Sequence, residues 1–148
     1  MLTGIRSLAA CAALIAAAPV GAQQDELPAI QLSAGVHLIH AELADTYGTR
    51  MQGLMFRKSL APNSGMLFDF EQADLHCMWM KNTLIPLSVA FIDDKGEIIN
   101  IADMKPQIEQ THCARRPARY ALEMSKGWFA ERGIRAGQKL RGLEKLAR

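Results

Sequence analysis

Leu87-Ser88-Val89-Ala90-Phe91-Ile92-Asp93-Asp94-Lys95-Gly96-Glu97-Ile98-Ile99-Asn100-Ile101-Ala102 is the stretch from which the fold is read. Leu87, Val89 and Phe91 point one way along an extended chain, and Ser88, Ala90 and Ile92 the other. Asp93-Asp94-Lys95-Gly96 breaks the run, and Gly96 suits a left-handed backbone position. Glu97 to Ala102 then returns with Ile98, Ile99 and Ile101. Two apolar runs around an Asp/Gly turn predict an antiparallel hairpin.

Working outward, Val36 to Leu43, Met66 to Phe70, Arg119 to Met124 and Gly137 to Leu140 read as further strands. Ala61-Pro62-Asn63-Ser64-Gly65 is a turn cluster. Asp45 or Thr46 is placed to cap a short helix in which Tyr47, Met51, Leu54 and Met55 share a face. Ser125 is placed to cap a second through Trp128 and Phe129, stopped at Gly133. Lys105 to Pro117 reads as a long polar loop. These elements predict a mainly β (α+β) chain. Its expected form is a single antiparallel β-sandwich or barrel-like domain with one or two short helices.

The N-terminus carries a different signal. Arg6 precedes an uncharged apolar stretch from Leu8 to Ala18, then Pro19 and the small residues Gly21 and Ala22. This is the pattern of a cleaved secretory signal over residues 1–22. Leu8-Ala9-Ala10-Cys11 has the look of a lipoprotein cleavage box, but only four residues separate Arg6 from Cys11. Lipidation at Cys11 therefore stands as the minor alternative. Residues 23–34 read as a flexible leader, 35–142 as the domain and 143–148 as a tail. No apolar run reaches the roughly 20 residues that cross a bilayer. With 17 Lys plus Arg against 15 Asp plus Glu, the basic excess expected of a nucleic-acid binder is missing. The expected location is periplasmic or secreted.

Export bears on the sulfur chemistry. Cys77 and Cys113 remain after signal removal, each preceded by a histidine, and an oxidising compartment favours a bond between them. Two buried thiols or a redox pair are the alternatives, although no Cys-x-x-Cys spacing is present. His76, Met78 and Met80 fall on one side of an extended segment. Imidazole and thioether suit Cu(I), while core filling is the plainer use of such methionines. His37 and His40 point apart on a strand. Arg115, Arg116 and Arg119 form a basic cluster that is either solvated or meets an anion. No P-loop, dinucleotide fingerprint or nucleophile elbow occurs, and no cofactor is expected.

Arg50-Met51-Gln52-Gly53-Leu54-Met55-Phe56-Arg57 and Gly65-Met66-Leu67-Phe68 resemble the opening of the domain-of-unknown-function family 192. Cys77-Met78-Trp79-Met80-Lys81-Asn82-Thr83, with Pro86-Leu87 and Ala90-Phe91-Ile92-Asp93, is similar to its central signature. Tyr120-Ala121-Leu122-Glu123 and Gly127-Trp128-Phe129, with Gly133-Ile134 and Gly137, are similar to its close. The resemblance spans about residues 35–142. It implies a compact β-sandwich-like domain, often behind a signal peptide, without an established activity. Ser88 and Gln138 stand where the family often has acids, which argues against carboxylate chemistry at those two places.

Arg57, Lys81, Asn82, Thr83, Asp103 and Glu123 are the family-like residues that packing explains least, since buried charge is costly unless paired. Arg57 and Lys81 are expected to line one concave site with Asn82, Thr83 and Asp103. The alternative is that Asn82 and Thr83 shape a turn and the charges form structural ion pairs. The functional expectation is a noncatalytic envelope binding or interaction module, taking an anionic small molecule, a glycan or an envelope protein. An envelope hydrolase and a Cu(I)-handling protein are the alternatives.

Overall fold

The computed structural model describes residues 27–146, so the signal reading of residues 1–22 and Cys11 lies outside the described residues. Nine strands, β1 (Ala29–Ala34), β2 (His37–Ala44), β3 (Ser64–Asp74), β4 (Cys77–Met78), β5 (Leu87–Ile92), β6 (Ile98–Met104), β7 (His112–Cys113), β8 (Ala118–Ser125) and β9 (Leu140–Arg141), carry the fold. Two short helices, α1 (Tyr47–Gln52) and α2 (Trp128–Glu131), and a final 3₁₀ turn over Leu143–Leu146 complete it.

Seven strands form one sheet in the order β6-β5-β8-β3-β2-β1-β9, and β4 pairs with β7 in a separate two-residue ribbon. The sheet is mixed. The antiparallel expectation fails at β2 and β3, which run parallel from His40↔Ser64 to Ala44↔Phe68. The 19 residues between those strands carry α1 and a long return, which brings β3 in alongside β2 in the same direction. The sheet curls into a half-barrel. Its outer edges approach where Glu97 bridges Lys139 and the Leu140 N–H donates to the Gly96 carbonyl at 2.8 Å. Gly96 sits at φ +82°, and a Cβ there would lie 2.7 Å from the Leu140 carbonyl oxygen, so glycine is required twice over.

The 87–102 hairpin forms as the alternation predicts, with Leu87↔Met104 and Ala90↔Ile101 in register. Asp93 ties its turn. Burial pushes this carboxyl up, but the Glu97 N–H, the Arg116 guanidinium and the Lys95 N–H together hold it below its ordinary value. Each face of the sheet buries its own cluster. Leu67, Ala90, Ile92, Leu122 and Met124 pack with Trp128, Phe129 and Ile134 on one face. Met66, Phe68, Val89, Phe91 and Ala121 pack with Leu54, Met78 and Met80 on the other.

The leader and tail expectations both need correction. Residues 29–34 are a strand rather than a flexible lead-in, fully paired to β2 from Ala29↔Glu42 to Ala34↔His37. Leu143 of the expected tail is buried in the core. The polar stretch read as one loop contains β7, because Cys113 pairs with Cys77. Thr46 caps α1 in a capping box with Thr49, yet Tyr47 and Met51 face solvent and only Leu54 of the expected face is buried.

Candidate functional site

β8 crosses the middle of the sheet, and Glu123 opposes Val89 on one side and Met66 on the other. All three therefore lie on the face covered by α1 and by the segment after β4. Glu123 is only 3% exposed. Among the described residues its carboxyl receives no hydrogen bond, and burial alone lifts its pKa from 4.5 to about 8. An uncompensated carboxyl at such a place keeps its proton at neutral pH.

In front of Glu123 lies a slot of about 20 Å3 beneath α1, room for roughly one water. Arg50, Met51, Met55, Met78, Trp79 and Thr83 are among its walls. Each element has a local reason to be there. The capping box starts α1, and Gly53 at φ +48° ends it, turning Leu54 into the core. Arg50 is fixed by the carbonyls of Asp45 (2.7 Å) and Asp69 (2.8 Å) and by Glu71 (3.2 Å). The Cys77–Cys113 disulfide, present as the oxidising-compartment argument expects, holds the start of the segment that carries Trp79. Met51 (45% exposed) shares the slot's wall with Trp79, and the Lys81 ammonium lies 5.2 Å from the indole centroid.

The structure divides the residues grouped from sequence. Arg57 is drawn to Glu42 at 2.6 Å, and among the described residues its buried Nε has no partner. Asn82 adopts φ +54° and offers its carbonyl to the Phe56 N–H. Thr83 is buried, and its carbonyl takes the Gln107 N–H, so this pair shapes a turn, and Thr83 alone of the two also walls the slot. Asp103 lies away from them on the opposite face, where it accepts from Ser88 Oγ at 2.6 Å. Arg57, Lys81, Asn82, Thr83 and Asp103 therefore do not line one concavity. The turn 81–83 projects from the α1 face, whereas β6 carries Asp103 in phase with the other. Ser88 Oγ also accepts the Gly127 N–H at 2.9 Å. Ser88→Ala strands that donor and is expected to cost about 1–2 kcal/mol in chemical denaturation; a change under about 0.5 kcal/mol would contradict the assignment.

The copper set is likewise dispersed. Met78 and Met80 are buried in the core, and His76 stacks on Phe70 with Nε2 3.0 Å from the Gln72 carbonyl. Among the described residues no group of three or more His, Cys, Asp or Glu is placed to hold a metal. In the basic cluster, Arg119 forms a two-pronged pair with Asp69 and Arg116 pairs with Asp93 and Glu97. Glu123 was visible in sequence as a charge within an apolar strand. Arg50 and Trp79 acquire their role only through the packing of α1 on the sheet.

The walls of the slot come almost wholly from the segments that carry the family resemblance, and residues 29–142 match the family DUF192, described as "Uncharacterized ACR". The chain belongs to DUF192. Solved structures similar to this DUF192 chain include the following two. One, from Novosphingobium aromaticivorans DSM 12444 and of unknown function, is 34% identical, with a TM-score of 0.77 over 85% of this chain and 94% of that one. The other, from Sinorhizobium meliloti 1021 and provisionally described as a transcription regulator, is 37% identical, with a TM-score of 0.72 over 77% and 92%. No curated protein matches the chain.

Proposed function

We propose that this DUF192 domain is an exported module of the bacterial envelope that binds a glycan fragment, one bearing an acidic substituent, at the slot beneath α1. The observation that carries this reading is the unpartnered, buried Glu123 facing a slot of one-hydroxyl size. A protonated carboxyl donates one hydrogen bond and accepts another, which suits a sugar hydroxyl. Trp79 at the mouth offers a ring for stacking against a sugar face, and Lys81 beside it suits a carboxylate substituent. The disulfide and the N-terminal signal pattern both favour an oxidising compartment. Cell fractionation should place the mature chain outside the cytosol, beginning after Ala22.

Titration with the N-acetylglucosaminyl–N-acetylmuramic acid disaccharide, followed by amide and indole NMR, tests the site. Saturable shifts at Trp79 and Thr83 are expected. Trp79→Ala should weaken binding at least tenfold, and Ser88→Ala should leave it unchanged. Shifts confined to other surfaces, or none, would refute the assignment.

One observation also favours the hydrolase reading. A carboxyl whose pKa is lifted to about 8 in a cleft is the type of group that serves as a general acid at neutral pH. Turnover of an envelope glycan that disappears in Glu123→Gln while binding persists would establish it.

A further inference from the structure

The positive charge of the chain is concentrated near its end. Arg132, Arg135, Lys139, Arg141 and Lys145 stand against Glu131 and Glu144 over residues 131–146. Arg132, Lys139 and Arg141 meet His37 around a groove of about 570 Å3 between the β1–β2 turn and the chain leading into β9. Among the described residues no acidic side chain lines this groove. Its volume lies within the range of small-molecule sites.

The groove is built as well as charged. The Arg132 guanidinium lies 4.4 Å over the Trp128 ring and donates to the Trp128 carbonyl (3.1 Å) and to Asn63 Oδ1 (3.2 Å). His37 meets the same ring edge-on at 6.3 Å. Arg132 is thus held before any ligand arrives, which lowers the ordering cost of binding. Among the described residues its one ion pair is a loose one with the exposed Glu131 at 3.6 Å, and Lys139 and Arg141 have none. Three cations converging on one concavity without an acid attract multiply charged oxyanions, and arginine's planar fork matches phosphate geometry.

We propose that this groove is a second binding site, for a phosphate-bearing small molecule or headgroup carrying at least two negative charges. It shares no residue with the Glu123 slot and opens on the other face of the sheet, beside Ala34 and Ile134. It therefore stands or falls independently of the glycan reading.

Pyrophosphate at low salt is the soluble probe, followed by amide NMR on the mature chain. Saturable shifts at His37, Arg132, Lys139 and Arg141 are expected, weakened at least tenfold in Lys139→Gln/Arg141→Gln and unaffected in Trp79→Ala. Both substituted side chains are exposed, so the double variant should keep the wild-type melting temperature. Vesicles of phosphatidylcholine with and without phosphatidic acid form the second arm. Sedimentation with the acidic vesicles alone, lost in the double variant, assigns a headgroup; pyrophosphate binding without sedimentation assigns a soluble ligand. Non-saturable shifts spread over all basic side chains together with no acid-dependent sedimentation overturn the proposal. So does any binding that the double variant retains in full.

Discussion

Glu123→Gln is expected to flatten the decline in folding stability of the wild type between about pH 5 and pH 8. The folded carboxyl holds its proton up to about pH 8, whereas the unfolded chain releases it near 4.5. Below 4.5 both states are protonated and the group contributes fully. As pH rises, the unfolded state gains the freedom to ionise and the folded state does not, so stability falls by about 1.4 kcal/mol per pH unit. The loss reaches about 3 kcal/mol at pH 7 and levels off once the folded group ionises. Glutamine keeps the shape and cannot titrate; the cost of burying its amide is the same at every pH. Urea denaturation of both proteins across this range should therefore give a difference that widens with pH and then becomes constant. Parallel curves would mean that Glu123 is compensated in a way its surroundings do not suggest.

Replacing both cysteines, Cys77→Ser/Cys113→Ser, is expected to lower stability by about 3–4 kcal/mol, the chain-entropy value for a loop of this length. The bond spans 36 residues and joins strands that share only two residue pairs, Cys77↔Cys113 and Met78↔His112. So short a ribbon does not persist unaided. The consequence reaches the slot, because Met78 and Trp79 follow Cys77 directly and form part of its wall. Wild type in reductant should match the double variant in urea midpoint and in Trp79 emission, and reductant should not change the variant further. Equal stability of wild type and variant would remove the disulfide from the account.

Much of this architecture was legible from local pattern. The 87–102 hairpin rests on alternation and a Gly-containing turn, both properties of adjacent residues. The Thr46 cap and the stop at Gly133 are equally local, but Ser125 does not cap the second helix: it ends β8, and Gly127 at φ +84° starts α2 without a side-chain cap. What escaped was set by long-range packing. The parallel pairing of β2 with β3 depends on how the chain between them returns, which no pattern within either strand encodes. Ala29–Ala34 looked like a leader because its polar neighbours masked a strand whose pairing comes from β2. The site divided along the same line. Arg57, Lys81, Asn82, Thr83 and Glu123 stood out as residues that core packing does not explain. Which of them meet depends on sheet phase: Asp103 and Thr83 fall on opposite faces, and Arg57 finds Glu42 on β2, 15 residues earlier. The basic groove was hidden because His37 and Arg141 come together only when β1 pairs with β9.

The most direct test is the carboxyl carbon shift of Glu123 followed by NMR as pH is raised on the folded, disulfide-bonded chain. A midpoint near 8 is the expected result, that of an uncharged acid waiting at the base of the slot. A midpoint near 4.5 would contradict it, leaving an ionised, already satisfied side chain and no reason to place a ligand there.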